Sequence, residues 1–265
     1  MSVIALSPLD LSLAGALVVV LAIISRSMRL QLGRQLLVAA VRTTVQLLLI
    51  GLVLKALFGH VHPGWVALMA CVMLLAAGRE VMSRQKRRFT GAWSFGLGTL
   101  SMFVSSFTIT VLALVVIISP QPWYEPQYAI PLLGMLLGNT MNGISIGMDR
   151  LTASAWDQRT LIEGRLMLGQ TWRQAIAGLR NESIRSGLIP IVNAMMAAGL
   201  VSLPGMMTGQ ILGGSPPMEA VKYQILIMFL IAGGTGLGTM TAVWLGSRRL
   251  FDERQRLRLD RLRKG

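Results

Sequence analysis

Residues 37–57 read Leu37-Val-Ala-Ala-Val-Arg42-Thr-Thr-Val-Gln46-Leu-Leu-Leu-Ile-Gly51-Leu-Val-Leu-Lys55-Ala-Leu57. A run of about 20 residues this apolar is the length of helix that crosses a bilayer. Six further runs of the same kind lie outward from it, at 9–25, 64–77, 93–118, 128–148, 187–203 (extendable through 204–213) and 220–245. The chain therefore reads as all-α, a polytopic membrane bundle of about seven transmembrane helices.

Composition agrees. The 265 residues are 53% hydrophobic and only 14% charged, with a mean hydropathy of +0.61, whereas a soluble domain is about 25% charged. Disorder needs low hydrophobicity and is excluded. The net charge of +14 does not make a nucleic-acid binder, because a basic patch needs a wide aqueous surface. No Lys or Arg precedes the first run, so it reads as a span rather than a cleavable leader.

The basic residues fix an orientation. Of 25 Lys and Arg, all but Arg42, Lys55 and Lys222 fall in four segments: after the first run, after the third, between the fifth and sixth, and in the tail. Seven spans put all four on one side. By the excess of Lys and Arg in cytoplasmic loops, the N-terminus is expected outside and the C-terminus in the cytoplasm of a bacterial inner (plasma) membrane. Residues 1–247 form the membrane domain, including a cytoplasmic insertion at 149–186. Residues 248–265 form a basic tail, read most simply as an amphipathic helix lying on lipid.

The insertion reads as helical, being rich in Leu, Ala, Arg and Gln and free of Pro. It contains Glu163-Gly-Arg-Leu166-Met-Leu168-Gly169-Gln170-Thr171-Trp-Arg-Gln-Ala175. Here Gly169 lets the chain turn sharply between two short helices. The plain alternative is an ordinary surface helix.

Within the spans, Arg42 and Gln46 share a helix face and line a pathway unless Arg42 merely snorkels. Asn139 and Asn142 share a seam, beside Gly134 and Gly138 at a spacing suited to close helix packing. Pro204 breaks the sixth run beside the soft thioethers Met206 and Met207, and carbonyls freed at that depth must be buried or line a cavity. With 17 Met in the chain, packing is the plain alternative for each. No metal ligand set is evident. Cys71, the one cysteine, reads as a buried thiol, and His60 and His62 as a solvated loop.

These segments together resemble the FetB-type ABC permeases, a family linked to bacterial iron export and metal resistance, with plant relatives in aluminium tolerance. The resemblance is carried by residues 41–51, by Ile130-Pro-Leu-Leu-Gly-Met-Leu-Leu-Gly-Asn-Thr-Met141, by 163–175, by Leu200-Val-Ser-Leu-Pro-Gly-Met-Met-Thr-Gly209 and by 220–225. It implies a homodimeric membrane subunit in contact with lipid and paired with a separate cytoplasmic ABC ATPase. The 163–175 segment is then the coupling helix, with Glu163, Leu166, Leu168, Gly169, Gln170 and Thr171 at the contact. The chain itself is not expected to be an enzyme. Its four lysines precede Ala, Arg, Tyr and Gly, so no Gly-Lys-Ser/Thr phosphate loop exists. ATP and Mg are expected on the partner alone. A stand-alone secondary transporter or channel is the alternative, disfavoured because no Asp or Glu lies mid-span to couple protons or sodium.

Overall fold

Ser7 starts the first helix. Its hydroxyl accepts from the Asp10 amide, while the Asp10 carboxylate accepts from the Ser7 amide at 2.8 Å. This capping box satisfies amides that a helix start leaves free. The computed structural model describes residues 7–59 and 61–264. Helix α1 (Pro8–Ser27) turns through Arg29 and Gln31, at φ 55° and 57°, into α2 (Gly33–Gly59). With Gln210–Ser215 these helices make one compact unit.

The larger unit holds α3 (Pro63–Ser83), β1 (Arg87–Phe89), α4 (Trp93–Ile118), α5 (Pro126–Asp157), α6 (Arg159–Met167), α7 (Trp172–Ala175), α8 (Ala177–Ala197), α10 (Pro217–Arg249) and β2 (Leu262–Lys264). Between α8 and α10 lies the short α9 (Gly205–Leu212). Helices α5 and α10 are the longest, and Leu136, Ile144, Leu151 and Val243 are fully buried between elements of this unit. Helix α4 widens into π-helical turns at Phe103–Phe107 and Ala113–Ile118. The chain is a polytopic all-helical membrane bundle. Among the described residues six helices (α1 to α5 and α10) are long and apolar enough to cross a bilayer.

The expected span at 187–203 is different. Its helix, α8, starts ten residues earlier in the polar insertion and ends at Ala197, so half of it carries Arg180, Glu182 and Arg185. Pro190 sits inside it, and residues 198–204 are not helical. A hydropathy window sees the apolar half and the break as one span and assigns the polar half to the loop.

The tail is no amphipathic helix. Beyond α10 the chain folds back, and β2 pairs antiparallel with β1, Arg88 opposite Arg263. Arg261 Nη1 donates to the carbonyls of Arg249 and Phe251, at 2.8 and 3.1 Å. Leu250, Phe251 and Leu262 are buried. These buried apolar residues at the two ends of 250–262 thus anchor a strap.

Cys71 is exposed rather than buried. In a membrane bundle an apolar run faces lipid as well as core, so apolarity alone does not imply burial. His62 caps α3, its Nδ1 accepting from the Gly64 amide at 3.1 Å. His60 lies outside the described residues.

Candidate functional site

Helices α6 and α7 form a small hairpin at the Arg-rich end of the larger unit. Gly169 sits at φ +84°. Its amide donates to the Leu166 carbonyl at 3.0 Å, and the Gln170 amide to the Arg165 carbonyl at 3.2 Å. This pairing closes a helix C-terminus around a left-handed residue, which glycine adopts without strain. Thr171 then starts α7, bonded reciprocally to Gln174. Arg165 Nη1 spans the hairpin and donates to the Ala175 carbonyl at 3.1 Å.

The hairpin is firmly seated. Ile162, Ala175 and Ile176 are at most 1% exposed. Trp172 packs on Phe251 of the strap with ring centroids 5.8 Å apart, and its amide donates to Gln255 Oε1 at 2.9 Å. The tip is the opposite: Met167 and Leu168 are 83% and 84% exposed. A cavity of about 720 Å³ opens between Glu163, Gly169 and Thr171 on one side and Arg254, Gln255 and Arg256 of the strap on the other. The structure thus brings the six expected coupling residues onto one hairpin but divides them. Leu166 packs inward, whereas Leu168 points outward with Met167. Met167, Arg165 and Gln255 were not singled out as site residues in the sequence. Met167 was legible from its adjacency to Leu168; Gln255 was not, being far away in the chain.

Below the hairpin, short contacts bind the elements together. Asp149 Oδ1 accepts from the Lys86 amide at 2.7 Å, and Thr152 donates to the Arg87 carbonyl at 2.9 Å. The Arg87 guanidinium lies 4.0 Å over the Trp156 ring. On the strap, Arg258 holds the Asp260 carboxyl down at about 2, from an ordinary 3.8. The Arg256 amide lowers the Asp252 carboxyl in the same direction.

The expected pathway residues do not form one cluster. Arg42 and Gln46 lie on exposed positions of α2 in the smaller unit. In the larger unit Asn139 donates to the Met135 carbonyl of its own helix at 2.9 Å, whereas Asn142 Oδ1 accepts from Arg84 Nη1 at 2.7 Å. Of the pair expected to pack closely, Gly134 does so, with a β-carbon there lying 3.1 Å from Met73 of α3, whereas Gly138 faces open space; the tightest helix approaches on α5 come further along, at Gly143 and Gly147. Pro204 and Met207 line a cavity of about 520 Å³ with Met195, Gln224 and Met228. Met206 is half-buried and does not line it. Gln224 is 8% exposed, and its Oε1 has no hydrogen-bond partner.

Sequence reading also passed over a seam of buried hydroxyls. Ser106 Oγ donates to Thr140 Oγ1 at 3.4 Å beside the first wide turn of α4, and Ser101, Thr235 and Thr239 hold buried hydroxyl oxygens without partners. Ser and Thr commonly bond the carbonyl four residues back, so their spacing carries no signal of its own. Among the described residues no three of His, Cys, Asp and Glu group as a metal cage.

Membrane-length apolar helices, with a seated polar-end hairpin whose apolar tip is uncovered, define a multi-pass membrane protein. The chain belongs to the family described as Uncharacterised protein family (UPF0014), whose model matches residues 8–251. It is 44% identical over 228 residues to the UPF0014 membrane protein slr1647 of Synechocystis, 86% of this chain and 87% of that one. It is 34% identical over 260 residues to the probable iron export permease protein FetB of Escherichia coli, covering 96% of both. Protein ALUMINUM SENSITIVE 3 of Arabidopsis thaliana is 34% identical over 234 residues, 88% of this chain and 84% of the relative. No solved structure matches it.

Proposed function

We propose that this chain is the membrane-spanning subunit of an ABC transporter, exporting iron or another metal or small solute. A separate cytoplasmic ATPase binds ATP and Mg and drives it, and two copies of the chain enclose the pathway. The Arg-rich end faces the cytoplasm and the N-terminus faces out. The observation that carries the reading is the 163–175 hairpin, with an apolar tip more than four-fifths exposed on a base that is fully buried. Exposed apolar patches on a polar segment mark interaction sites.

The geometry supplies a route for the push. The hairpin runs into α8 through buried Ile176. At 1.5 Å per residue, α8 is a rod of about 30 Å. Its far end is the break at 198–204, where Pro204, Met207 and Gln224 line the cavity. Displacement of the tip therefore moves one wall of that cavity. The names of the relatives support metal as cargo: one is named a probable iron export permease, another ALUMINUM SENSITIVE 3.

The test is purification of the tagged chain from solubilised membranes. A Walker-A ATPase is expected to co-purify, and inside-out vesicles holding both chains are expected to accumulate iron only with ATP. Transport by the purified chain alone, without ATP, selects the secondary-transporter alternative.

A further inference from the structure

We propose that the α1–α2 hairpin carries a binding site for an anionic phospholipid. Within this smaller unit a cavity of about 670 Å³ opens between the two helices, a volume typical of small-ligand sites. Its wall is apolar, formed by Val19, Ile23, Leu37 and Val38, and each of these four is also 44% to 63% exposed. At one end of it stand Arg26, Arg29 and Arg34.

The backbone builds this arrangement. The helices touch where Gly33 meets Ala22, since a β-carbon on Gly33 would lie 2.9 Å from the Ala22 carbonyl oxygen. The Leu30 amide closes α1 onto the Ser25 carbonyl at 2.9 Å. The left-handed Arg29, at φ 55°, turns the chain there and lines the cavity together with Arg26 and Arg34.

The unit cannot neutralise these charges itself. Its one carboxylate, Asp10, is bonded to Ser7 at the opposite end of α1. Asp10 lies sixteen residues from Arg26 in sequence, or about 24 Å along the helix. Among the described residues no ion pair involves Arg26, Arg29 or Arg34. Three uncompensated guanidiniums at the end of an apolar groove match one ligand shape: a phosphate with an acyl chain beside it. Guanidinium forks hold phosphate oxygens in pairs, and basic pockets between membrane helices on the cytoplasmic side bind anionic head groups.

The test uses the full chain, reconstituted in equimolar phosphatidylglycerol and phosphatidylcholine and then released into detergent. Mass spectrometry reads the lipid that stays bound to the folded protein. Phosphatidylglycerol is expected to be retained over phosphatidylcholine, with each Arg→Gln change lowering the preference roughly fivefold. Arginine loss also alters helix orientation, so the deciding variant is Val38→Trp. It fills the groove, keeps every charge, and is expected to release the lipid. Equal retention of both lipids, a preference that survives Val38→Trp, or displacement by inorganic phosphate alone overturns the site. The last result would mean a phosphate site without an acyl-chain groove.

Discussion

Gly187 of α8 presses against Gly143 of α5 so closely that a β-carbon on Gly187 would stand 2.5 Å from the Gly143 carbonyl oxygen. Thr239 of α10 closes the third side, with its Cγ2 2.7 Å from that same position. Three helices thus meet where no side chain fits. In lipid, helices gain by close van der Waals packing of small residues rather than by leaving water.

Gly187→Ala is therefore expected to destabilise the bundle by about 1–3 kcal/mol, because the clash is with backbone, which cannot rotate away. Gly138→Ala meets nothing within 4 Å and is expected to be neutral or slightly stabilising. Thermal unfolding in detergent compares them. Equal melting temperatures would show that α8 and α5 do not approach as described.

Which parts were legible in the sequence follows from the physics of each. The long spans were, because lipid leaves an apolar chain little choice but helix. The turn at Gly169 was, because a glycine between two helical stretches marks a left-handed stop. The small-residue face of α5 was half legible: Gly134 meets Met73, Gly138 meets nothing, and the closest crossing lies about two and a half turns beyond, at Gly143 and Gly147. The spacing of small residues shows that a helix has a close-packing face, not where along it the neighbour crosses. The strap was illegible, because β1 and β2 are each three residues long and lie far apart in the chain. The start of α8 was hidden by Arg180, Glu182 and Arg185, which read as loop. The division of the pathway residues was hidden too, since one helix says nothing about the partner of an asparagine on it.

At the hairpin, Gly169→Pro is expected to abolish ATPase association. Proline fixes φ near about −65°, against +84° here, and removes the amide that bonds Leu166. Gly169→Ala keeps the amide, and its β-carbon meets nothing within 4 Å. It is expected to cost about 1–2 kcal/mol of local strain and to weaken association without ending it. Met167→Ser with Leu168→Ser leaves the fold unchanged and is expected to lose association too. Pull-down at matched membrane levels reads all three, and full association of the double serine variant would sink the docking role.

The strap predicts a response to acid. Asp260 titrates at about 2 rather than 3.8, and Asp252 is lowered as well. A carboxyl depressed by folding contributes stability above its unfolded value and loses it as pH falls through the folded value. The strap should therefore stay docked at neutral and mildly acidic pH and loosen only below about pH 4. Trp172 emission, taken as the difference between wild type and Trp172→Phe, reports this through its contact with Phe251. Asp260→Asn is expected to shrink the acid step and to weaken docking at neutral pH, where the charge is normally present. A transition near neutrality would mean that other groups hold the strap.

Arg84 and Asn142 join the end of α3 to α5 across 2.7 Å. Arg84 also meets Glu80 one turn back, at 3.5 Å. Both side chains of the α3–α5 bond are exposed, so Asn142→Ala is expected to cost less than about 1 kcal/mol in stability. If this bond closes the pathway at the Arg-rich end, the same variant raises ATP-independent leak of metal in proteoliposomes. Unchanged leak with unchanged stability would leave the bond a plain helix clasp.

Gln224 offers the sharpest separation of stability from transport. Its Oε1 is buried and unpartnered in the cavity beside Pro204 and Met207. A buried acceptor without a donor costs about 1–3 kcal/mol, and replacing it by an apolar group of similar size recovers that cost. Gln224→Leu is therefore expected to raise the melting temperature. If the unpaired oxygen is kept because cargo meets it, the same variant lowers ATP-driven export by about tenfold, the effect of roughly one lost hydrogen bond. Proteins hold such costs where function demands them. A more stable variant that exports like the wild type would show that cargo bypasses this cavity. One that is less stable would show that the oxygen has a partner in the membrane.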